Sequence, residues 1–390
     1  MNSAALKEEP VGRKPPPRIV GEFWTAKQRQ ASSLHEISYR ACFKPQLPRY
    51  FIERYSAEGD IVYDPFMGRG TTIIEAALLN RNVIGNDVNP LSKILAAPRL
   101  DIPDIDEVQQ RLAEIKFSKK AKANIDLSMF FHPETEAEIV SLQRYLADRK
   151  KDRKEDRIDR WIRMVATNRL TGHSRGFFSV YTLPPNQATQ PKSQIRINKL
   201  RKQTPEYRSV RNIILKKTRT LLQRVSEDQR ANVDAIQAQA RFLTTDARHT
   251  AIIGTDTVQL VVTSPPFLNI VQYTNDNWMR CWFNRIADDA VASHMTMSRT
   301  IDEWCAVMAD VFKELFRITL NGGHVAFEVG ELRKGTMKLE EHVIPLGRNA
   351  GFGCEAVYIN TQQFTKTANI WGIQNNESGT NTNRIVLFRK

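Results

Sequence analysis

The sequence predicts an α/β fold in which a doubly wound sheet is interrupted by a mainly helical insert. Three features predict it. First, IVYDPF (61–66) is a short apolar run followed by a glycine turn; TTIIEAALLN (71–80) then has helical spacing, and NVIGND (82–87) is a second apolar run. This is the opening of a parallel strand–helix–strand unit. Second, strand signals fade after about residue 101, where segments 105–116, 133–148 and 206–226 are charged and helical in spacing. Third, strand and helix signals alternate again from 241 onward. The predicted organisation is a flexible arm at 1–20, an α/β domain built from 21–100 plus 241–390, and a basic helical insert at 101–240.

The arm follows from Pro10, Pro15, Pro16 and Pro17 set among charges. In the second half, RFLTTDA (241–247) and VQLVVTSPPF (258–267) read as strands and 301–319 as a helix. Gly322-Gly323 reads as a turn into the strand HVAFEVGE (324–331). A helix near 340–349 and strands at 355–360 and 384–389 complete the pattern.

The 390 residues are 41% hydrophobic, which suits one large domain with an insert, or two domains. The formal charge of +14 points to a polyanionic partner. Cys42, Cys281, Cys305 and Cys354 are scattered without metal-ligand spacing, so free thiols in a reducing compartment and no metal site are expected. The N-terminal residues lack a signal-peptide core, and no run reaches about 18 uninterrupted apolar residues. A soluble cytoplasmic protein without a membrane span is expected.

The first chemical motif is DPFMGRGTT (64–72). A strand ending in Asp64 turns through Gly68 and Gly70, which allow positive φ and close approach of backbone to a ligand. The helix beginning near Thr71 offers free N–H groups and a positive dipole end. The loop is too short for a P-loop and no Gly-Lys-Ser/Thr follows, which disfavours a nucleoside triphosphate. Asp87, 23 residues after Asp64, sits where an acid at a second strand end accepts hydrogen bonds from ribose hydroxyls.

DPFMGRGTT resembles the cofactor motif of the S-adenosylmethionine-dependent amino-methyltransferases of DNA. The resemblance implies a Rossmann-like class I methyltransferase sheet and S-adenosyl-L-methionine as cofactor, leaving S-adenosyl-L-homocysteine as product. It places Asp64, Phe66, Gly68, Gly70, Thr71 and Thr72 around the methionine end. IGNDVNP (84–90), with Asp87 and Asn89, resembles the next family motif. FKPQLPRYFIERYSAEGD (43–60) resembles the family's Lys-Pro segment, with Lys44, Pro45 and Gln46 as candidates. Asp246 in TTDARH (244–249) takes the position of an acid near the adenine amino group.

The second motif, TSPPF (263–267), ends the apolar run VQLVV. Two prolines stiffen the turn and direct its carbonyls outward. A base amino nitrogen is a poor nucleophile because its lone pair is delocalised into the ring. Acceptors that hold its hydrogens favour a tetrahedral nitrogen and stabilise the developing positive charge. The Ser264 hydroxyl and the Pro265 carbonyl are those acceptors, Pro266 stiffens the turn, and Phe267 would stack on the base. A duplex target must flip out, at roughly a few kcal/mol. The Ser form resembles cytosine-N4 enzymes; adenine-N6 enzymes more often carry Asp or Asn there, although some Ser forms act on adenine. No cysteine follows a proline, which disfavours cytosine-C5 chemistry. An RNA base methyltransferase and a non-catalytic DNA-binding protein are the rival readings.

The insert carries the charge. Residues 192–224 hold eleven Lys/Arg and one acid, Glu206. Such an unbalanced block reads as a phosphate-tracking surface, with Lys199, Arg201, Lys202, Lys216 and Lys217 as contacts. RKKDRKEDRIDR (149–160) mixes signs and reads as solvated helix and turn. In NRLTGHSRGFFSVYTLPPNQA (168–188), Arg175 suits guanine and Asn186 and Gln187 suit adenine edges. Phe177 and Phe178 are either a wedge into the base stack or anchors to the core. Asn269 and Tyr273 could line a base pocket. The polar segment 367–384 reads as a hairpin loop or a solvated loop. The implied partners are double-stranded DNA and a cognate restriction endonuclease; oligomeric state stays open.

Overall fold

A computed structural model describes residues 15–23, 31–39, 42–183, 188–266, 273–287, 298, 300–329, 331–332, 337–361 and 382–390. Ten strands are named in chain order: β1 (Arg18–Gly21), β2 (Ile61–Asp64), β3 (Asn82–Asn86), β4 (Arg241–Leu243), β5 (Val258–Thr263), β6 (Thr319–Val329), β7 (Glu331–Leu332), β8 (Met337–Lys338), β9 (Gly353–Thr361) and β10 (Thr382–Arg389). Eight form one sheet in the order β1-β9-β10-β6-β5-β2-β3-β4, and β7 and β8 form a separate ribbon. Within the main sheet β10 alone runs antiparallel to its neighbours. This is the doubly wound, Rossmann-like sheet that the sequence leads one to expect. The chain builds outward from β2 to β3 and β4, then returns to place β5 on the other side of β2. The topological switch point therefore lies between β2 and β5, the two strands that end in the two motifs. Ligands of open α/β sheets bind in the crevice at such a point.

The strands alternate as a period of two demands. Val62, Leu260 and Val262 face one core, while Tyr63 and Val261 face the other. The helices, in chain order, are α1 (Gln46–Tyr55), α2 (Thr71–Leu78), α3 (Pro90–Ala96), α4 (Ile105–Glu114), α5 (Pro133–Lys151), α6 (Arg157–Arg169), α7 (Pro191–Arg201), α8 (Val210–Leu222), α9 (Glu227–Ile236), α10 (Tyr273–Asn284), α11 (Ile301–Ile318) and α12 (Glu340–Ala350). Helices α11 and α12 cover the second core. The first core contains α1, α2 and α3 together with Val108, Trp161, Val210 and Leu221 of the insert. The insert thus shares its apolar interior with one layer of the sheet.

The structure corrects several expectations. Arg18–Gly21, partly inside the expected arm, pairs with β9 as a parallel edge strand; residues 1–14 lie outside the described set. Gly322-Gly323 does not turn: both sit inside β6, where Gly322 has φ +84 and the pairing register with β5 shifts. The expected strand at 241–247 stops at Leu243. The segment 149–160 is not merely solvated. Asp159 is fully buried and accepts from Arg111 at 2.6 Å and Arg149 at 2.7 Å, so the mixed charges close an interior network. Helices α1, α3, α6, α7, α9 and α10 are not among those the sequence spacing predicts.

Candidate active site

The glycine loop is held by backbone geometry and by buried arginines. Gly68 has φ +50 and Gly70 has φ +78, both in the left-handed region. A Cβ on Gly70 would also stand 2.7 Å from Ala96 Cβ, so space and backbone both require glycine there. Arg69 is buried and donates to the His35 and Ile37 carbonyls at 3.2 and 2.8 Å. Arg99 donates to the Leu34 and Arg69 carbonyls. Buried carbonyls of an irregular segment need such donors. Burial, aided by the neighbouring Arg69 charge, lowers Arg99 to about 9.

Three acids and Ser264 lie along the carboxyl edge of the sheet. In spatial order, β5 ends before Ser264, β2 ends in Asp64, β3 ends before Asp87, and the loop after β4 carries Asp246. Asp64 is buried and accepts from the Thr263 hydroxyl at 2.7 Å and the Phe66 N–H at 3.1 Å. Both bonds fall on Oδ1. Burial pushes its carboxyl up to about 7, against the pull of those two donors. Asp87 accepts from the Gly68 and Asn89 N–H groups, each at 2.9 Å, which ties the glycine loop to the second acid. Desolvation raises its pKa. Asp246 pairs with Arg248 at 2.5 Å on a half-exposed edge.

Other candidates have different placements. Thr72 is buried and its hydroxyl donates to the Val262 carbonyl at 3.0 Å, pinning α2 to β5. The Thr71 hydroxyl accepts from Arg69 at 3.2 Å. Asn89 is the N-cap of α3, accepting from the Leu91 N–H at 3.0 Å. Pro45 caps α1, and half-buried Lys44 precedes it. Phe66 packs against the second core. Beside the switch point, Ser264 is half-buried, Pro265 buried and Pro266 exposed. Among the described residues none is hydrogen-bonded to the Ser264 hydroxyl or the Pro265 carbonyl. Phe267 and Asn269 lie outside the described residues, as do Asn186 and Gln187; of Tyr273 only the backbone, opening α10, is described.

The basic block divides in two. Lys217 is buried against Glu36 at 3.5 Å, and burial lowers it to about 8; it is not a phosphate contact. Arg208 donates to the Ser174, Phe177 and Ser179 carbonyls, Arg211 to the Ile115 carbonyl, and Arg224 pairs with Glu36. These cations are spent on the fold. Lys192, Arg196, Lys199, Arg201 and Lys202 of α7 and its end, and Lys216 of α8, are exposed. Arg175 is also exposed, 3.9 Å from Glu206. Phe177 and Phe178 are buried, with Arg169 stacked on Phe177, so they anchor the insert and are not a wedge. Sequence reasoning missed Thr263 and Trp304. Trp304, in the first turn of α11, donates from its indole to the Pro266 carbonyl at 2.9 Å.

Residues 3–95 match the DNA methylase family. This segment, which contains the glycine loop, Asp64 and Asp87, is similar to that family. Type II methyltransferase M.MjaII of Methanocaldococcus jannaschii is 34% identical over 109 residues, 28% of this chain and 20% of the relative. Type II methyltransferase M.BsoBI of Geobacillus stearothermophilus is 31% identical over 118 residues, 28% of this chain and 23% of the relative. A tRNA (guanine(10)-N2)-dimethyltransferase of M. jannaschii is 31% identical over 101 residues, 22% of this chain and 29% of the relative. The matched part therefore spans between a fifth and a third of these relatives' lengths. S-adenosylmethionine is the cofactor of the DNA methylase family, and the donor set fits it. An ammonium and a ribose diol call for anionic acceptors, which Asp64 and Asp87 supply. A loop with two positive-φ glycines lets backbone come close to the ligand. Among the described residues no group of three or more His, Cys, Asp or Glu could hold a metal ion. No helix among them is long and apolar enough to cross a membrane.

Proposed function

We propose that the protein methylates the exocyclic amino group of a base in double-stranded DNA, cytosine N4 by preference and adenine N6 as the alternative. The observation that carries this reading is the adjacency of Asp64 and Ser264 across the β2–β5 switch point, bridged by the Thr263 hydroxyl. S-adenosylmethionine supplies the methyl group when bound. The Asp64 carboxylate holds its ammonium, Asp87 its ribose hydroxyls, and Asp246 the adenine side. The Ser264 hydroxyl and the Pro265 carbonyl accept the two hydrogens of the target amino group. They thereby favour a tetrahedral nitrogen and stabilise the positive charge that grows on it. The target base is flipped out of the duplex to reach them, with Phe267 as the stacking aromatic. Alignment of the acceptors against the cofactor site does the rest; neither a metal nor a covalent nucleophile enters the step.

DNA as substrate is supported by the family of residues 3–95 and by the exposed cations of α7. Cytosine N4 rests on Ser264, the form of the motif that resembles N4 enzymes. A second reading, methylation of an RNA base, is favoured by the tRNA-modifying relative, whose name specifies guanine N2, also an exocyclic amino group. Incubation with S-adenosylmethionine and either unmethylated mixed-sequence DNA or total tRNA, followed by mass spectrometry of the nucleosides, tests all three. N4-methylcytosine in DNA is the expected product. N6-methyladenine alone would overturn the N4 assignment, and methylated tRNA with unmodified DNA would overturn the DNA reading.

A further inference from the structure

We propose that Trp304 is a positioning residue for the Ser-Pro-Pro turn, and that its indole N–H fixes which carbonyl of the turn receives the target amino group. The inference rests on the methyl-transfer reading above. The prolines fix φ in the turn, but Pro265 and Pro266 have no N–H, so two successive backbone donors that could anchor it are missing. Side chains must supply the restraint. Thr263 supplies one, though its hydroxyl is directed at Asp64 and holds the strand end. Trp304 supplies the other, at 2.9 Å from the Pro266 carbonyl.

The indole is 3% exposed and packs in the second core among Met308 and its neighbours on α11. A buried indole N–H requires a partner, and a core-held ring gives that partner a fixed address. The Thr300–Glu303 capping box fixes the first turn of α11, from which Trp304 projects. Two consequences follow. One lone pair of the Pro266 carbonyl is occupied by the indole, which favours the Ser264 hydroxyl and the Pro265 carbonyl as the substrate's acceptors. The direction of the Pro266 carbonyl is set as well. The acceptors are thereby oriented before the base arrives, and a misplacement of about 1 Å can cost on the order of a hundredfold in rate.

Trp304→Phe removes the donor and keeps an aromatic ring in the core; Trp304→His keeps a ring N–H and packs worse. Full-length variants are assayed with labelled S-adenosylmethionine and unmethylated mixed-sequence DNA, alongside calorimetric cofactor affinity and thermal unfolding. The expected result is crossed: Trp304→Phe is the more stable, Trp304→His the faster in kcat. Trp304→Phe should fall at least about tenfold in kcat with cofactor Kd within about twofold of wild type. Wild-type kcat in Trp304→Phe, or activity that merely follows stability across both variants, would overturn the proposal alone. Failure of the wild type to methylate DNA would instead overturn the reading on which it rests.

Discussion

The Thr263 hydroxyl donates to Asp64 Oδ1 at 2.7 Å, so the residue before the Ser-Pro-Pro turn is bonded to the acid that opens the glycine loop. The two motifs are 190 residues apart in sequence and adjacent in space because β5 pairs with β2 in parallel. Thr263→Val keeps the shape and removes the donor, leaving the Phe66 N–H alone on Oδ1 of a buried carboxyl, at a cost of roughly 0.5–1.5 kcal/mol. Thermal unfolding should show the loss, and calorimetry should show weaker S-adenosylmethionine binding. Unchanged values in both would refute the link.

Asp64 gives a pH dependence with a definite sign. Burial raises its folded pKa to about 7, well above the unfolded value near 4. Its contribution to stability is therefore fully present below about pH 4 and lost as pH rises through 7. Pairing with the cofactor's ammonium requires the ionised carboxylate. Affinity for S-adenosylmethionine should rise with pH up to about 7 and level off above it, with proton release measurable below 7. Asp64→Asn should bind weakly and without that slope. A flat profile for the wild type between pH 5.5 and 8.5 would contradict the assignment.

Two glycines separate backbone strain from packing. Gly59 and Gly70 have φ +82 and +78, but a Cβ at Gly59 meets nothing within 4 Å, while one at Gly70 meets Ala96 at 2.7 Å. Gly59→Ala should cost about 1–2 kcal/mol in urea unfolding, from the left-handed backbone alone. Gly70→Ala should cost about 1–3 kcal/mol more from overpacking, and should also impair cofactor binding. Equal losses would show that the loop relaxes around the new methyl.

The basic block makes opposite predictions at two places. Lys192, Arg196 and Lys199 share the exposed face of α7 with Ile195 and Leu200, which are 54% and 83% exposed. Replacing the three cations by Gln should weaken DNA binding and reduce the slope of log K against log salt by roughly 2.7, about 0.9 per phosphate contact. Lys217→Gln should leave that slope unchanged and lower the melting temperature, because Lys217 is buried against Glu36. A slope change from Lys217→Gln would restore it as a phosphate contact.

Much of the site was legible in the sequence, and the reason is local. The acid, the glycines and the helix start of 64–72 act through neighbouring backbone, and Ser-Pro-Pro follows its strand directly. The doubly wound α/β class also followed from the alternation of strand and helix signals, whereas the strand order did not. What was not legible depended on distance. Lys217 looks like its exposed neighbour Lys216 until helix α8 turns it toward Glu36. Asp159 looked like one more charge in a mixed run until α5 and α6 closed around it. Phe177 and Phe178 fit either role by composition, and only burial decided. Trp304 reaches Pro266 across 38 residues, with no local pattern to announce it. Asn89 and Thr72 stand inside the motifs, and their engagement in a helix cap and a strand clasp is likewise visible only in three dimensions.

The most direct test of the central claim is single-turnover methyl transfer by Ser264→Ala. The claim is that Asp64 and Ser264 are the two halves of one site, the first for the cofactor and the second for the amino group. With labelled S-adenosylmethionine and unmethylated mixed-sequence DNA, the variant should bind cofactor as the wild type does. Its transfer rate should fall on the order of a hundredfold, as when one preorganised polar group is removed from a transition-state site. Transfer at the wild-type rate, or a loss of cofactor binding that accounts for the whole decrease, would contradict the account.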